Sequence, residues 1–180
     1  MFPSTRNSSA SRAGASSSWS SAPVSVFGIT SEPSACPFCD LVSCGENELN
    51  RSTDIVWNDD ATTAFVSPKW WVTNPAHVIV VPNEHYGNLY EIPERALASV
   101  YATAKRIAVA LKAVYGCDGT STRQHNEAGA GQELWHFHVH VFPRYVDDGL
   151  YENDRRTFWV DADERAPYAE RLREQLASQA

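Results

Sequence analysis

The sequence predicts an α+β fold built on an antiparallel sheet of about five strands, with one long helix and an additional C-terminal helix. Short β-prone runs stand on both sides of a single long helical stripe, so the alternating βα rhythm of a parallel sheet is absent. Turn residues join neighbouring runs closely enough for a hairpin. No internal repeat with a period of 20–50 residues suggests a solenoid or propeller.

Asp54 to Trp57 and Thr62 to Val66 are β-prone runs around Asn58-Asp59-Asp60-Ala61, a good turn, and read as a hairpin. Ser67 to Ala76 reads as a loop carrying Pro68, Pro75 and the pair Trp70-Trp71. His77 to Val81 is β-branched and ends at Pro82, as a buried central strand would. Asn83 to Glu91 is a polar connection containing His85. Pro93 suits the first turn of a helix that Gly116 would stop. Between them Leu97, Val100, Tyr101, Ala104, Ile107, Ala108, Leu111 and Val114 make one apolar stripe. Thr120 to His125 reads as a short strand, Asn126 to Gln132 as a glycine-bearing turn and Leu134 to Phe142 as a strand. Pro167 is expected to open a last helix through Leu176, whose Arg165, Glu170, Arg171, Arg173 and Glu174 suggest a solvated face.

The chain has 180 residues, with 15 Lys+Arg against 22 Asp+Glu and a formal charge of −7. That balance argues against a nucleic-acid or anionic-membrane surface, which needs clustered cations. No apolar run is long enough to span a membrane. Residues 1–35 are rich in Ser, hold Pro3, Pro23 and Pro33, and carry one acid, Glu32; they read as a disordered arm. Arg6 and Arg12 among the serines resemble an organelle transit peptide, but a plain tail or a start codon called too early, on a cytoplasmic protein, is the simpler expectation. Residues 36–149 form the expected catalytic domain, and 150–180 an extension whose helix packs on it.

Two constellations carry chemistry. Cys36-Pro37-Phe38-Cys39 is a C-x-x-C pair; zinc is a better reading than redox chemistry, but needs two further ligands. Cys44 and Cys117 are expected to bind no metal. In Trp135-His136-Phe137-His138-Val139-His140-Val141-Phe142, a period of two puts His136, His138 and His140 on one face and Phe137, Val139 and Val141 in the core. Imidazole is substantially neutral and nucleophilic near pH 7, and a partner on its far nitrogen fixes the tautomer. The loop Asn126 to Gln132 stands just upstream, where its backbone N–H groups could converge on an anion. A histidine cluster beside such a loop suits attack on a phosphate.

The segment Asn126 to Arg144 resembles the signature of the histidine triad (HIT) family, supported upstream by Asn74 to Pro82, His85 and Cys36 to Cys39. The resemblance implies a HIT-like fold, usually homodimeric, that binds a nucleotide, a purine nucleoside phosphate derivative by expectation. It implies hydrolysis or transfer at the α-phosphate of a phosphoramidate, dinucleoside polyphosphate or related adenylate. By the same likeness His138 is the nucleophile that forms a nucleotidyl-histidine, and His140 and His77 orient phosphate and nucleophile. Asn126, Gly131 and Gln132 would hold phosphate oxygens, and Cys36, Cys39, His85 and His136 would bind a structural zinc.

This chain departs from the family pattern at two places. Glu133 stands where many eukaryotic members have Ser or Thr near the leaving group; it donates a proton only if held protonated. Ser67 falls about where a ribose-binding acid or amide is expected, and the loop after it is about two residues longer. Phe65 is a candidate at the nucleotide, although it, Trp57 and Trp135 suit the core better. Trp70-Trp71 suit an interface or a base platform, and His125 has no assigned role. Two rival classes stay open at this point. One is a hydrolase or oxygenase using His-x-His-x-His as catalytic metal ligands. The other is a non-catalytic nucleotide-binding module.

Overall fold

The structure, a computed structural model, describes residues 36–152 and 156–178. The serine-rich arm expected at 1–35 lies outside the described residues. Seven strands and three α-helices follow in order: α1 Pro37–Cys44, β1 Ile55–Asn58, β2 Thr62–Val66, β3 Lys69–Trp71, β4 Val78–Pro82, α2 Glu94–Tyr115, β5 Gly119–Arg123, β6 Val139–Arg144, β7 Thr157–Trp159 and α3 Ala162–Ala177. The fold is α+β, as expected. Five strands make one antiparallel sheet in the order β1-β2-β4-β6-β5, and β3 pairs with β7 in a separate two-stranded sheet.

The β1–β2 turn forms where expected because Asp59 organises it: its Oδ1 accepts from the N–H groups of Ala61 and Thr62. Strand period then sorts the two sheet faces. Ala64 and Val66, Val78 and Val80, and Val139 and Val141 turn toward α2 and α3, where Ile107, Leu111, Ala169 and Leu172 bury against them. Fully burying side chains such as Ile107 and Leu111 contributes roughly 1.5–3 kcal/mol each. Phe65, Ile79 and Val81 turn to the opposite face and pack on Cys36, Phe38 and Leu41 of the α1 region.

Several elements differ from the sequence reading. The stripe of α2 is rotated: Thr103 and Ala110 are buried and Tyr101 is exposed. Thr103 is tolerated inside because its hydroxyl meets that of Thr62 at 2.9 Å. β6 starts at Val139 rather than Leu134; upstream, the Phe137 N–H turns to the carbonyl of Tyr86 at 2.6 Å. The alternation survives, since Phe137 is still wholly in the core. The loop after Ser67 contains β3, whose partner β7 lies in the C-terminal extension.

The last helix starts at Ala162, with Asp161 at its N-cap position and acids in its first turn, so Pro167 lies inside it. Arg165 is not on a solvated face. It is buried against Asp54, Nη2 to Oδ2 at 2.6 Å and Nε to Oδ1 at 2.9 Å. That pair ties α3 to the turn before β1.

Candidate active site and metal centre

The face of the sheet away from α2 and α3 carries the chemistry. Continuing the period of β6 backward puts His140, His138 and His136 on that face, and each meets a different partner. His136 reaches the α1 cysteines, Nδ1 to Cys36 Sγ at 3.3 Å and to Cys39 Sγ at 3.6 Å. His138 donates from Nδ1 to the carbonyl of His136 at 2.7 Å. His140 Nδ1 meets Nε2 of His77 at 3.1 Å. The three rings therefore do not converge as one metal-ligand set, which removes the geometric basis of the catalytic-metal reading.

A carbonyl oxygen only accepts, so the bond from His138 Nδ1 leaves the lone pair of the neutral ring on Nε2. The ring lines a cleft of about 390 Å³ together with His140, Phe38, Leu134, Ser67 and Gly131. Phe38 packs edge-on against His138 at 5.4 Å between ring centroids. Burial holds His138 below the ordinary imidazole value despite the opposing effect of its backbone bond. His140 is held well below it, first by burial and then by its histidine neighbours and Arg123. His77 lies wholly behind the cleft wall, and burial pushes it down to about 3. The site is a row of neutral imidazoles.

The remaining expected residues divide. Gly131 and Glu133 line the cleft, and so does Ser67. Glu133 is exposed and ion-paired to Lys69 at 3.7 Å, so a cation already faces its carboxylate. The Ser67 hydroxyl donates to the carbonyl of Lys69 at 3.1 Å. Phe65 does not reach the cleft; it is fully buried and backs Phe38 at 5.4 Å. Asn126 turns away to accept from the N–H of Leu89 at 2.9 Å and to pair with Gln124. Gln132 is also spent on structure: it accepts from the Glu127 N–H and donates to the carbonyls of Gly87 and Leu134.

The expected cradle of loop amides is only partly available. Ala130, Gly131 and Gln132 donate their N–H groups back within the loop, which winds as a short 3-10 turn over Ala128–Ala130. Gly131 sits at φ 83°, where a side chain would be strained.

Three residues outside the expected site set stand at the site: His125 and Arg123, which had no role, and Trp71, read only as part of an interface or base platform. His125 lines the cleft with its Nδ1 donating to the carbonyl of Ala130 at 2.6 Å. Arg123 and Trp71 line it from β5 and β3. For Arg123 the signal was cross-strand register, since it stands opposite His140 in the β5–β6 ladder. Trp70 is core instead, donating Nε1 to the carbonyl of Ser67 and packing on Tyr168 at 5.1 Å.

Beside this cleft Cys36, Cys39, His85 and His136 bring four ligand atoms within 4.8 Å of one another. Cys39 Sγ lies 3.3 Å from His85 Nδ1. Tetrahedral zinc, with Zn–S near 2.3 Å and Zn–N near 2.0 Å, implies sulfur–nitrogen separations of about 3.5 Å. The His136 Nε2 bonds the carbonyl of Pro82 at 3.0 Å, the outer contact that presents Nδ1 as a ligand. Burial and the neighbouring Cys36 push the Cys39 thiol up to about 12, which an added cation would reverse. The donor set fits zinc.

Fold and site together define a histidine-triad protein, and comparison with known proteins agrees. The HIT domain family model matches residues 48–147. A HIT-like protein of Methanocaldococcus jannaschii is 33% identical over 131 residues, covering 72% of this chain and 94% of that protein. An adenylylsulfatase of Arabidopsis thaliana is 28% identical over 122 residues, covering 66% of this chain and 57% of that protein. Among solved structures, a zinc-bound histidine triad family protein from Mycobacterium smegmatis aligns with TM-score 0.66 and 26% identity, over 82% of this chain and 97% of that one. The chain belongs to the HIT family.

Proposed function

We propose that this protein is a nucleotide hydrolase or nucleotidyl transferase that cleaves a phosphoanhydride or phosphoramidate at the α-phosphate through a nucleotidyl-histidine on His138. The observation that carries this reading is the His138–His136 backbone bond, which leaves the Nε2 lone pair on a ring lining the cleft. Phe38, Leu49 and Leu134 give that cleft an apolar wall suited to a purine nucleoside. His140 offers its second nitrogen to a phosphate oxygen, and His77 holds the His140 ring in place through the 3.1 Å contact. His125 and the Gly131 loop border the same phosphate position. Asn126 and Gln132 shape the loop instead of touching the nucleotide.

In the attack, Nε2 bonds to the α-phosphorus as the bond from phosphorus to the bridging oxygen or nitrogen breaks and its electron pair departs with the leaving group, while the ring keeps its Nδ1 proton on the His136 carbonyl. Water then cleaves the N–P bond and restores the neutral ring. Zinc at Cys36, Cys39, His85 and His136 has a structural part in this reading: it would fix α1, and hence Phe38, against the nucleophile's strand. A homodimer acting in the cytoplasm completes it, in keeping with the family likeness. No helix of the described residues is long and apolar enough to cross a membrane.

Turnover of adenosine phosphoramidate, diadenosine triphosphate and adenylyl sulfate tests the reading. The last is included because of the adenylylsulfatase relative. At least one is expected to be cleaved by wild type, and His138→Asn to lower that rate by about 10³-fold or more. Cleavage of none, with no adduct on His138, would overturn it. Retained nucleotide binding without turnover would favour the non-catalytic module.

A further inference from the structure

We propose that Arg123 and Trp71 form a subsite for an anionic leaving group, so that this active site is built for phosphoanhydrides in preference to phosphoramidates. The proposal rests on the reading of His138 as nucleophile and extends it to the other half of the substrate.

Arg123 stands on β5 directly opposite His140, on the same face of the sheet. Its guanidinium lies against two touching aromatic rings, 5.6 Å from the centroid of Trp71 and 5.9 Å from that of Phe142. Its Nη1 is buried and has no hydrogen-bond partner. The Nε1 of Trp71 is also buried without a partner. Among the described residues Arg123 has no ion pair; Glu133, the carboxylate lining the same cleft, is engaged by Lys69. Buried donors left unmade cost about 1–3 kcal/mol each, more when charged. Both residues line the cleft, so two such donors beside it mark a place for an acceptor that arrives with the substrate. The guanidinium also stands near His140 and His77, which burial keeps neutral, and among the described residues no carboxylate is ion-paired with it.

The placement gives direction. Phe38 lies over β2 and β4, packed with Phe65, Ile79 and Val81, while Arg123 belongs to β5 at the opposite edge of the sheet. The histidines of β6 lie between. A nucleoside against Phe38 with its α-phosphorus at His138 sends its leaving group past His140 toward Arg123. When Nε2 bonds to phosphorus, the bond to the bridging oxygen breaks and its electron pair leaves on the departing phosphate. A guanidinium stabilises that charge without giving up a proton. A departing amine gains nothing from it, since it leaves only after being protonated, and Arg is not a proton donor near neutral pH.

The experiment compares kcat/KM for diadenosine triphosphate and adenosine phosphoramidate in wild type, Arg123→Gln and Trp71→Phe, with inorganic pyrophosphate as inhibitor and as calorimetric ligand. Arg123→Gln is expected to lower the anhydride-to-phosphoramidate ratio by about 10- to 100-fold, the loss of one or two charged hydrogen bonds. It should weaken pyrophosphate binding by about 10-fold or more. Trp71→Phe keeps the ring under the guanidinium and is expected to lower the ratio a few-fold. Equal losses on both substrates, or unchanged pyrophosphate affinity in both variants, would overturn the proposal. Wild type that cleaves the phosphoramidate but not the anhydride would overturn it and leave the His138 reading standing. Wild type that cleaves neither and forms no adduct would refute the His138 reading, while the pyrophosphate titrations would still judge the subsite.

Discussion

At the scale of single residues, the most informative contacts are those that choose one nitrogen of an imidazole. His136 gives Nε2 to the carbonyl of Pro82 and keeps Nδ1 for the cysteines; His138 gives Nδ1 to the carbonyl of His136 and keeps Nε2 for the cleft. In the proposed mechanism, adjacent members of one alternation would thereby take opposite duties, one toward metal and one toward phosphorus. The identity of these residues was legible in the sequence, but the choice of nitrogen was not, because it depends on carbonyls such as that of Pro82. Arg123 escaped for a related reason: nothing in Thr120-Ser-Thr-Arg123 singles it out until register sets it beside His140. The metal centre makes a prediction at this scale. Wild type is expected to hold one zinc per chain by elemental analysis, and Cys39→Ser to lose it. Zinc present at several hundred times its Kd stabilises the folded chain by roughly 3–4 kcal/mol, which the variant's thermal melt should lack. Metal-free wild type with the same melting temperature would refute this role.

At the scale of elements, long segments with strong patterns were readable and short ones were not. The α2 helix is bounded by Pro93 and Gly116 as expected, the latter at φ 62°. β3 is three residues long and its partner begins at Thr157, so no local pattern could announce the pairing. α1 is eight residues long, and as sequence its cysteines were more conspicuous than its helical character. The start of α3 was missed because Pro167 looked like an N-terminal residue; Asp161 and the acids after it were the better signal. Besides the core packing of Ala169 and Leu172, α3 is held by the buried ion pair of Arg165 with Asp54, whose Oδ2 also accepts from the N–H of Arg51 at 2.9 Å. Truncating one partner strands the other charge. Arg165→Met or Asp54→Ala is therefore expected to cost about 3–5 kcal/mol in denaturant unfolding. A loss below about 1 kcal/mol in both would mean that the pair is not the tie between α3 and β1.

At the scale of the whole molecule, the fold places a nearly chargeless chemical row inside an acidic protein. The formal charge of −7 lies elsewhere, and Arg123 is the cation that faces the buried imidazoles of His77 and His140. Stability should record this. Unfolded histidines titrate near ~6.5, whereas folded His77 titrates at about 3 and His140 well below its ordinary value. Between those values the unfolded chain binds more protons, so acidification below pH ~6.5 destabilises the fold. Each histidine contributes up to about 1.4 kcal/mol per pH unit. Urea unfolding across this range should show that slope, reduced in His77→Asn; a flat profile would contradict neutral burial.

In the proposed mechanism His138 carries the nucleotide as a covalent adduct. Mass spectrometry of protein quenched during turnover of diadenosine triphosphate tests it most directly. The expected result is a nucleoside monophosphate adduct on the peptide containing His138, absent from His138→Asn, which is also inactive. Turnover that proceeds without any adduct and survives His138→Asn would contradict it.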